Sequence, residues 1–228
     1  MTKSRLPRRE ISDAVGDLGW RLVLGELVTQ VRTESLAQAA SVAATVSSGV
    51  DAGDHLRIDL RPDRLYMSVT TVAESSITPI DIELARKISA LVSSLGLATD
   101  GGLDDESFRS VQRLEIAIDA LDIPAIRPFW RAVMGYTDYP GDDPVDGAVM
   151  DPAGQSPAIW FQQMDVARPQ RNRIHLDMTV PHDEAIRRMD AAIAAGGKLL
   201  SDDQAPAFWV LADPEGNEVC ICTWQARD

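Results

Sequence analysis

The sequence predicts an α+β protein. Its first half has the order α-β-β-α-β-β-α with an antiparallel sheet, and its second half is a pair of βαβββ modules forming a curved sheet with a cup. Three observations predict this. Helical and strand periodicities succeed one another through residues 1–97. Residues 98–108 are polar, acidic and glycine-bearing, without periodicity, which is linker composition. Beyond them, in 109–228, the order strand, helix, strands occurs twice, at 110–164 and 171–225, an internal duplication of architecture. Each half is long enough to bury a core of its own.

In the first half, Arg9 to Leu18 reads as a short helix that ends near Gly19. Trp20 to Leu24 and Glu26 to Arg32 read as strands broken at Gly25. Ser35 to Ser48 is a helix with Leu36, Ala39, Ala40 and Ala43 at helical spacing, Thr33 or Glu34 near its start and Gly49 as its stop. His55 to Leu60 and Leu65 to Val69 are strands joined by the turn sequence Arg61-Pro62-Asp63-Arg64. Thr78 is a suitable N-cap and Pro79 a first helical residue for a helix through Leu95.

In the second half, the expected strands of the first module are Val111 to Asp119, Gly147 to Met150 and Ala158 to Gln163, with a helix from Ile123 to Met134 ending at Gly135. Those of the second are Arg173 to Val180, Lys198 to Ser201, Phe208 to Ala212 and Val219 to Trp224. Its helix runs from Asp183 to Ala195 and stops at Gly196-Gly197. Alternation then sorts the faces. Leu114, Ile116 and Ile118, Ile159 and Phe161, Ile174, Leu176, Met178 and Val180, and Val219 and Ile221 are expected to pack on the helices. Arg113, Glu115, Ala117, Trp160, Gln162, Arg173, His175, Asp177, Thr179, Cys220, Cys222 and Trp224 are expected to face the cup, whose polar lining is Glu115, Trp160, Gln162, His175 and Cys220. Trp160 and Trp224 are candidates to stack on a flat or apolar ligand, with core or dimer packing as the alternative. Trp130 is expected in the core.

A formal net charge of -13 argues against a nucleic-acid partner, which requires a basic face. The basic cluster Lys3, Arg5, Arg8 and Arg9 reads as a solvated tail. No apolar run reaches membrane-spanning length and no signal-peptide core is present. Cys220 and Cys222, two apart on one strand face, are poorly placed to bridge and read as reduced thiols of a cytoplasmic protein.

The residues Trp20, Asp54-His55-Leu56, Thr70-Thr71-Val72, Ile77-Thr78 and Asp81-Ile82-Glu83-Leu84-Ala85 carry a resemblance to the pterin-4a-carbinolamine dehydratase fold over residues 10–97. The resemblance implies general acid–base chemistry, with His55 and Asp81 as candidate catalytic residues and Asp54 as a ligand-binding one. Asp54 and Val72 stand where the family has histidines, and Val72 can neither donate nor accept a proton. That departure points to ligand binding or dimerisation without turnover. The alternative is an active 4a-hydroxytetrahydrobiopterin dehydratase, a hydro-lyase.

Phe129-Trp130, Met134-Gly135-Tyr136, Asn172-Arg173-Ile174-His175-Leu176-Asp177 and Asp213-Pro214-Glu215-Gly216-Asn217-Glu218 resemble the glyoxalase-like and bleomycin-resistance-like branch of the vicinal oxygen chelate superfamily. Metal-dependent members take ligands from the first and last strand of each module, positions held here by Glu115, Trp160, His175 and Cys220. Trp160 cannot bind a metal. The resemblance leaves two forms open. In one, the pocket is metal-free, His175 serves as proton shuttle or ligand anchor with Glu115 as partner, and Trp160, Gln162, Cys220 and Trp224 contact the ligand. In the other, Glu115, His175 and Cys220 hold a divalent metal. The expected function is small-molecule binding or turnover, as a lyase or isomerase of glyoxalase type, a dioxygenase or a drug-sequestering resistance protein. A homodimer is expected from both resemblances.

Overall fold

The computed structural model describes residues 6–102, 110–167 and 174–226. The chain forms two compact units, Met1–Arg113 and Leu114–Asp228. Of the residues singled out above, Lys3, Arg5, Asn172 and Arg173 lie outside the described residues, as does the stretch 103–109.

The first unit contains α1 (Arg8–Val15), continued by a 3-10 turn Gly16–Leu18, then β1 (Arg21–Val23), β2 (Glu26–Arg32), α2 (Leu36–Gly49), β3 (Leu56–Arg61), β4 (Arg64–Val69), α3 (Pro79–Ser94) and β5 (Thr99–Asp100). The sheet order is β1-β2-β4-β3, every pairing antiparallel, with β5 added on β2. Strand β5 falls inside the stretch whose composition reads as a linker; two residues are too few to show a period, and their place is set by pairing to Gln30 and Val31. The β1–β2 hairpin turns on Leu24 and Gly25, both at positive φ. Gly19 is also obligatory: its φ is +77° and a Cβ there would fall 2.0 Å from Thr99 O. The cap of α2 is Ser35, whose hydroxyl accepts from Gln38 N at 3.2 Å, and the helix ends at Gly49. Trp20, Leu27, Leu65, Met67 and Ile88 fill the core between sheet and helices.

The second unit runs β6 (Glu115–Ala120), α4 (Ile123–Met134), β7 (Thr137–Asp138), β8 (Val149–Met150), β9 (Ala158–Gln163), then β10 (Asp177–Thr179), α5 (Ala185–Ala194), β11 (Lys198–Ser201), β12 (Phe208–Ala212) and β13 (Glu218–Cys222). Its strands make two four-stranded sheets, β6-β9-β8-β7 and β10-β13-β12-β11. In each, the first strand pairs parallel with the last and the other pairings are antiparallel. Identical order and direction in both sheets is the duplication read from the sequence, completed by the short strand β7 that the sequence pattern did not reveal.

Alternation holds inside the strands and fails beyond their ends. Ile118, Ile159, Phe161, Val219 and Ile221 are buried in the core with Trp130, and so is Val180, one residue past β10. Leu114 and Ile174, expected to pack, are 67% and 76% exposed, because β6 starts only at Glu115 and β10 only at Asp177. Arg113, expected in the cup, belongs to the first unit and pairs there with Glu26 at 2.6 Å. Strand β13 stops at Cys222, so Trp224 is not placed by strand parity; it is 64% exposed and its indole N–H donates to His182 Nδ1 at 3.3 Å.

The turn Asp213–Glu218 is structural. Buried Asp213 accepts from the Glu215 and Asn217 backbone N–H groups, from Asn217 Nδ2 and from Trp130 Nε1 on α4, at 2.8–2.9 Å. Glu215 accepts from the Leu121 and Asp122 N–H groups ahead of α4. One acidic turn thus ties the last hairpin to the helix of the other module.

Candidate functional site

In the first unit, His55 sits one residue before β3 and Asp81 lies in the first turn of α3. Asp81 is fully buried. Its Oδ1 lies 2.8 Å from His55 Nδ1, and its Oδ2 accepts from Thr71 Oγ1 at 2.7 Å, Thr78 N at 2.7 Å and Thr78 Oγ1 at 3.0 Å. Thr71 Oγ1 is also 3.4 Å from His55 Nδ1. The helix start explains this placement: Thr78 caps α3, Pro79 opens it, and the third helical residue, Asp81, folds its carboxylate back to the cap N–H. The carboxylate therefore both closes the helix and aims the imidazole. A carboxylate accepting from Nδ1–H fixes the neutral tautomer with its lone pair on Nε2. The His55 side chain keeps 19% exposure.

The surrounding residues agree only partly with the resemblance. Asp54 is exposed on the turn before β3, and Val72 opens a 3-10 turn, Val72–Glu74, where an imidazole would be needed for a third proton-transfer group. Thr71 went unassigned in the sequence; its adjacency to Val72 in the motif was the available signal. The loop ahead of His55 also lines an open groove of about 430 Å³ through Asp51, Ala52 and Gly53, together with Leu56 of β3, Ala43 of α2 and Val50 just past that helix.

In the second unit, the donor atoms of His175, Asp177 and Cys220 all lie within 4.8 Å of one another. Asp177 pairs in parallel register with Cys220, and Cys220 N donates to Leu176 O at 2.9 Å. Burial pushes the Cys220 thiol up to about 11, with the charge of Asp177 and its hydrogen bond to the thiol adding to the shift. Glu115, expected to meet His175 and Cys220, is not in this group. It is exposed on β6 opposite Ala158, in the other sheet, because alternation fixes the side of a strand but not which sheet it joins. Asp177 takes its place; parity put it on the correct face, and only the β10–β13 register shows that it meets Cys220. Trp160 and Gln162 are exposed on β9, in the sheet of Glu115. Neither cysteine is in a disulfide.

Residues 4–91 match the family model described as pterin 4 alpha carbinolamine dehydratase, and residues 115–222 match that of a glyoxalase-like domain. The chain is a two-domain α+β protein. It fuses a pterin-dehydratase-like domain to a glyoxalase-like domain. Among solved structures, a transcriptional coactivator/pterin dehydratase from Brucella melitensis is 23% identical, with 39% of this chain and 98% of that one covered and a TM-score of 0.35. A glyoxalase/bleomycin resistance protein/dioxygenase family enzyme from Burkholderia phytofirmans is 20% identical, with 48% and 95% covered and a TM-score of 0.36. A fosfomycin resistance protein from Mesorhizobium loti is 9% identical, with 48% and 89% covered and a TM-score of 0.39. No curated protein matches the chain. Among the described residues, no helix is long and apolar enough to cross a membrane.

Proposed function

We propose that the first unit is a proton-transfer site of the carbinolamine-dehydratase type, with His55 as its acid–base group. One observation carries the reading: a fully buried carboxylate, Asp81, is held by three further donors and presents Oδ1 to His55 Nδ1 at 2.8 Å. A surface histidine without function has no need of so constrained a partner. The match of residues 4–91 to the dehydratase family supports a pterin 4a-carbinolamine as substrate. In the step, His55 Nε2 takes the proton of the ring N–H while the C–O bond at the adjacent carbon breaks and C=N forms. The imidazolium returns that proton to the departing oxygen, and water leaves. With Val72 unable to supply a second path, turnover is slower than a site with several imidazoles would give.

A second reading concerns the other unit. Exposed Trp160 and Gln162 on one sheet, and the cluster of His175, Asp177 and Cys220 on the other, favour small-molecule binding there, either as sequestration without metal or as turnover with a divalent cation.

One titration separates the two readings. The chain has three histidines, His55, His175 and His182, so their ring resonances are readily assigned by NMR. A dihydropterin, resembling the product, is expected to shift the His55 ring saturably and leave His175 unmoved. Shifts confined to His175 and His182 would move pterin binding to the second unit and remove the dehydratase reading.

A further inference from the structure

We propose that Leu24, at the tip of the β1–β2 hairpin, is a specificity-determining residue of the His55 site, an apolar wall that packs on the face of a flat bicyclic substrate. The inference deepens the dehydratase reading and rests on it for the identity of the ring. The sheet register brings Leu24 to the site. Leu27, Val69 and Leu56 form one row across β2, β4 and β3. The chain leaves that row at one end of the sheet through Gly25 and Glu26, through Thr70 and through His55. Two bonds hold these segments together: Thr70 Oγ1 donates to Gly25 O at 3.1 Å, and Thr70 N donates to His55 O at 3.0 Å. Thr71, next in the chain, is the residue whose hydroxyl reaches Asp81.

Leucine is the wrong residue for this turn on grounds of folding alone. Val23 pairs with Glu26, so Leu24 and Gly25 are the two residues of a tight hairpin turn, with φ of +47° and +77°. Such turns favour Asn, Asp or Gly, because a larger side chain crowds its own backbone at positive φ. Core packing does not offset that strain. Leu24 is 47% exposed, whereas Leu22, two residues earlier, packs against the core. A second non-glycine residue at positive φ, Ser75 (+44°), lies against the same turn: a Cβ on Gly25 would stand 3.5 Å from Ser75 O. Among the described residues three non-glycine positions have positive φ, and two of them meet here, at the end of the sheet that carries His55. Backbone outliers gathered in this way are characteristic of ligand-contacting segments. An exposed leucine kept against local preference supplies what the polar groups of His55, Asp81 and Thr71 lack, a surface for the apolar face of a ring.

The test uses the full chain, with dihydropterin binding read from the His55 ring resonance and turnover from the dehydration rate. Leu24→Asn suits the turn and removes the apolar surface. It is expected to raise the dihydropterin Kd and the KM by about three- to tenfold, the effect of covering half a leucine side chain. The kcat stays unchanged, since contact with the ring face is the same before and during C–O cleavage. Leu24→Met keeps the surface and stays near the parent. Leu95→Asn, at a similarly exposed leucine just past the far end of α3, leaves both constants alone. Because Asn relieves the strain, Leu24→Asn unfolds at a temperature no lower than the parent's, so weakened binding is not the result of a damaged fold. A Leu24→Asn variant that binds as tightly as the parent, that loses kcat rather than affinity, or that Leu95→Asn matches overturns the assignment while the dehydratase reading stands. A parent protein whose His55 resonance ignores dihydropterin overturns both.

Discussion

His55→Ala lowers the dehydration rate of a pterin 4a-carbinolamine by about 10²–10⁴-fold, the range typical for removing a general acid–base group. The imidazole is partly exposed at 19%, so its removal leaves the core intact, and circular dichroism of the variant should match the parent. Two neighbours grade the effect. Asp81→Asn keeps the shape but loses the charge that orients Nδ1–H, and is expected to cost about 10–100-fold. Thr71→Val removes the hydroxyl 2.7 Å from Asp81 Oδ2 and costs less than either, whereas Thr71→Ser, which keeps that hydroxyl, stays near the parent rate. A graded series in this order marks a proton-transfer array. A His55→Ala variant as fast as the parent would show that the motif serves structure alone.

Asp213→Ala has the largest expected effect on stability, about 3 kcal/mol or more for the second unit, read as a fall in the urea midpoint of its unfolding transition. Asp213 is 1% exposed, and its loss strands the Trp130 Nε1 donor inside the core and the Glu215 and Asn217 N–H groups at the turn. The first unit, with its own core, should unfold at its parent midpoint. An unmoved second transition would mean that the turn does not hold the hairpin to α4.

Much of this architecture is legible in the chain because its longer elements carry clear periods. Helix α3 follows its cap Thr78, α4 ends at Gly135, and β9 alternates over most of its length. Short elements escape: β5 and β7 are two residues each, and only their partners define them. Parity misleads at Leu114, Ile174 and Trp224 for one reason, that alternation continues in the sequence after the backbone has left the sheet. The site shows the same division. His55 and Asp81 are legible through the resemblance to the carbinolamine dehydratases, whose motif positions they occupy. Thr71 and Asp177 are not singled out, because their roles depend on which side chain lies opposite, a property of register. Glu115, expected beside His175, lies outside the group that His175 forms with Asp177 and Cys220, whose composition depends on the β10–β13 register.

The most direct measurement is the rate at which the full-length chain dehydrates a pterin 4a-carbinolamine, set against the spontaneous rate in the same buffer. A saturable acceleration that scales with protein concentration is the outcome the His55–Asp81 arrangement predicts. A rate equal to that of buffer at every protein concentration contradicts it.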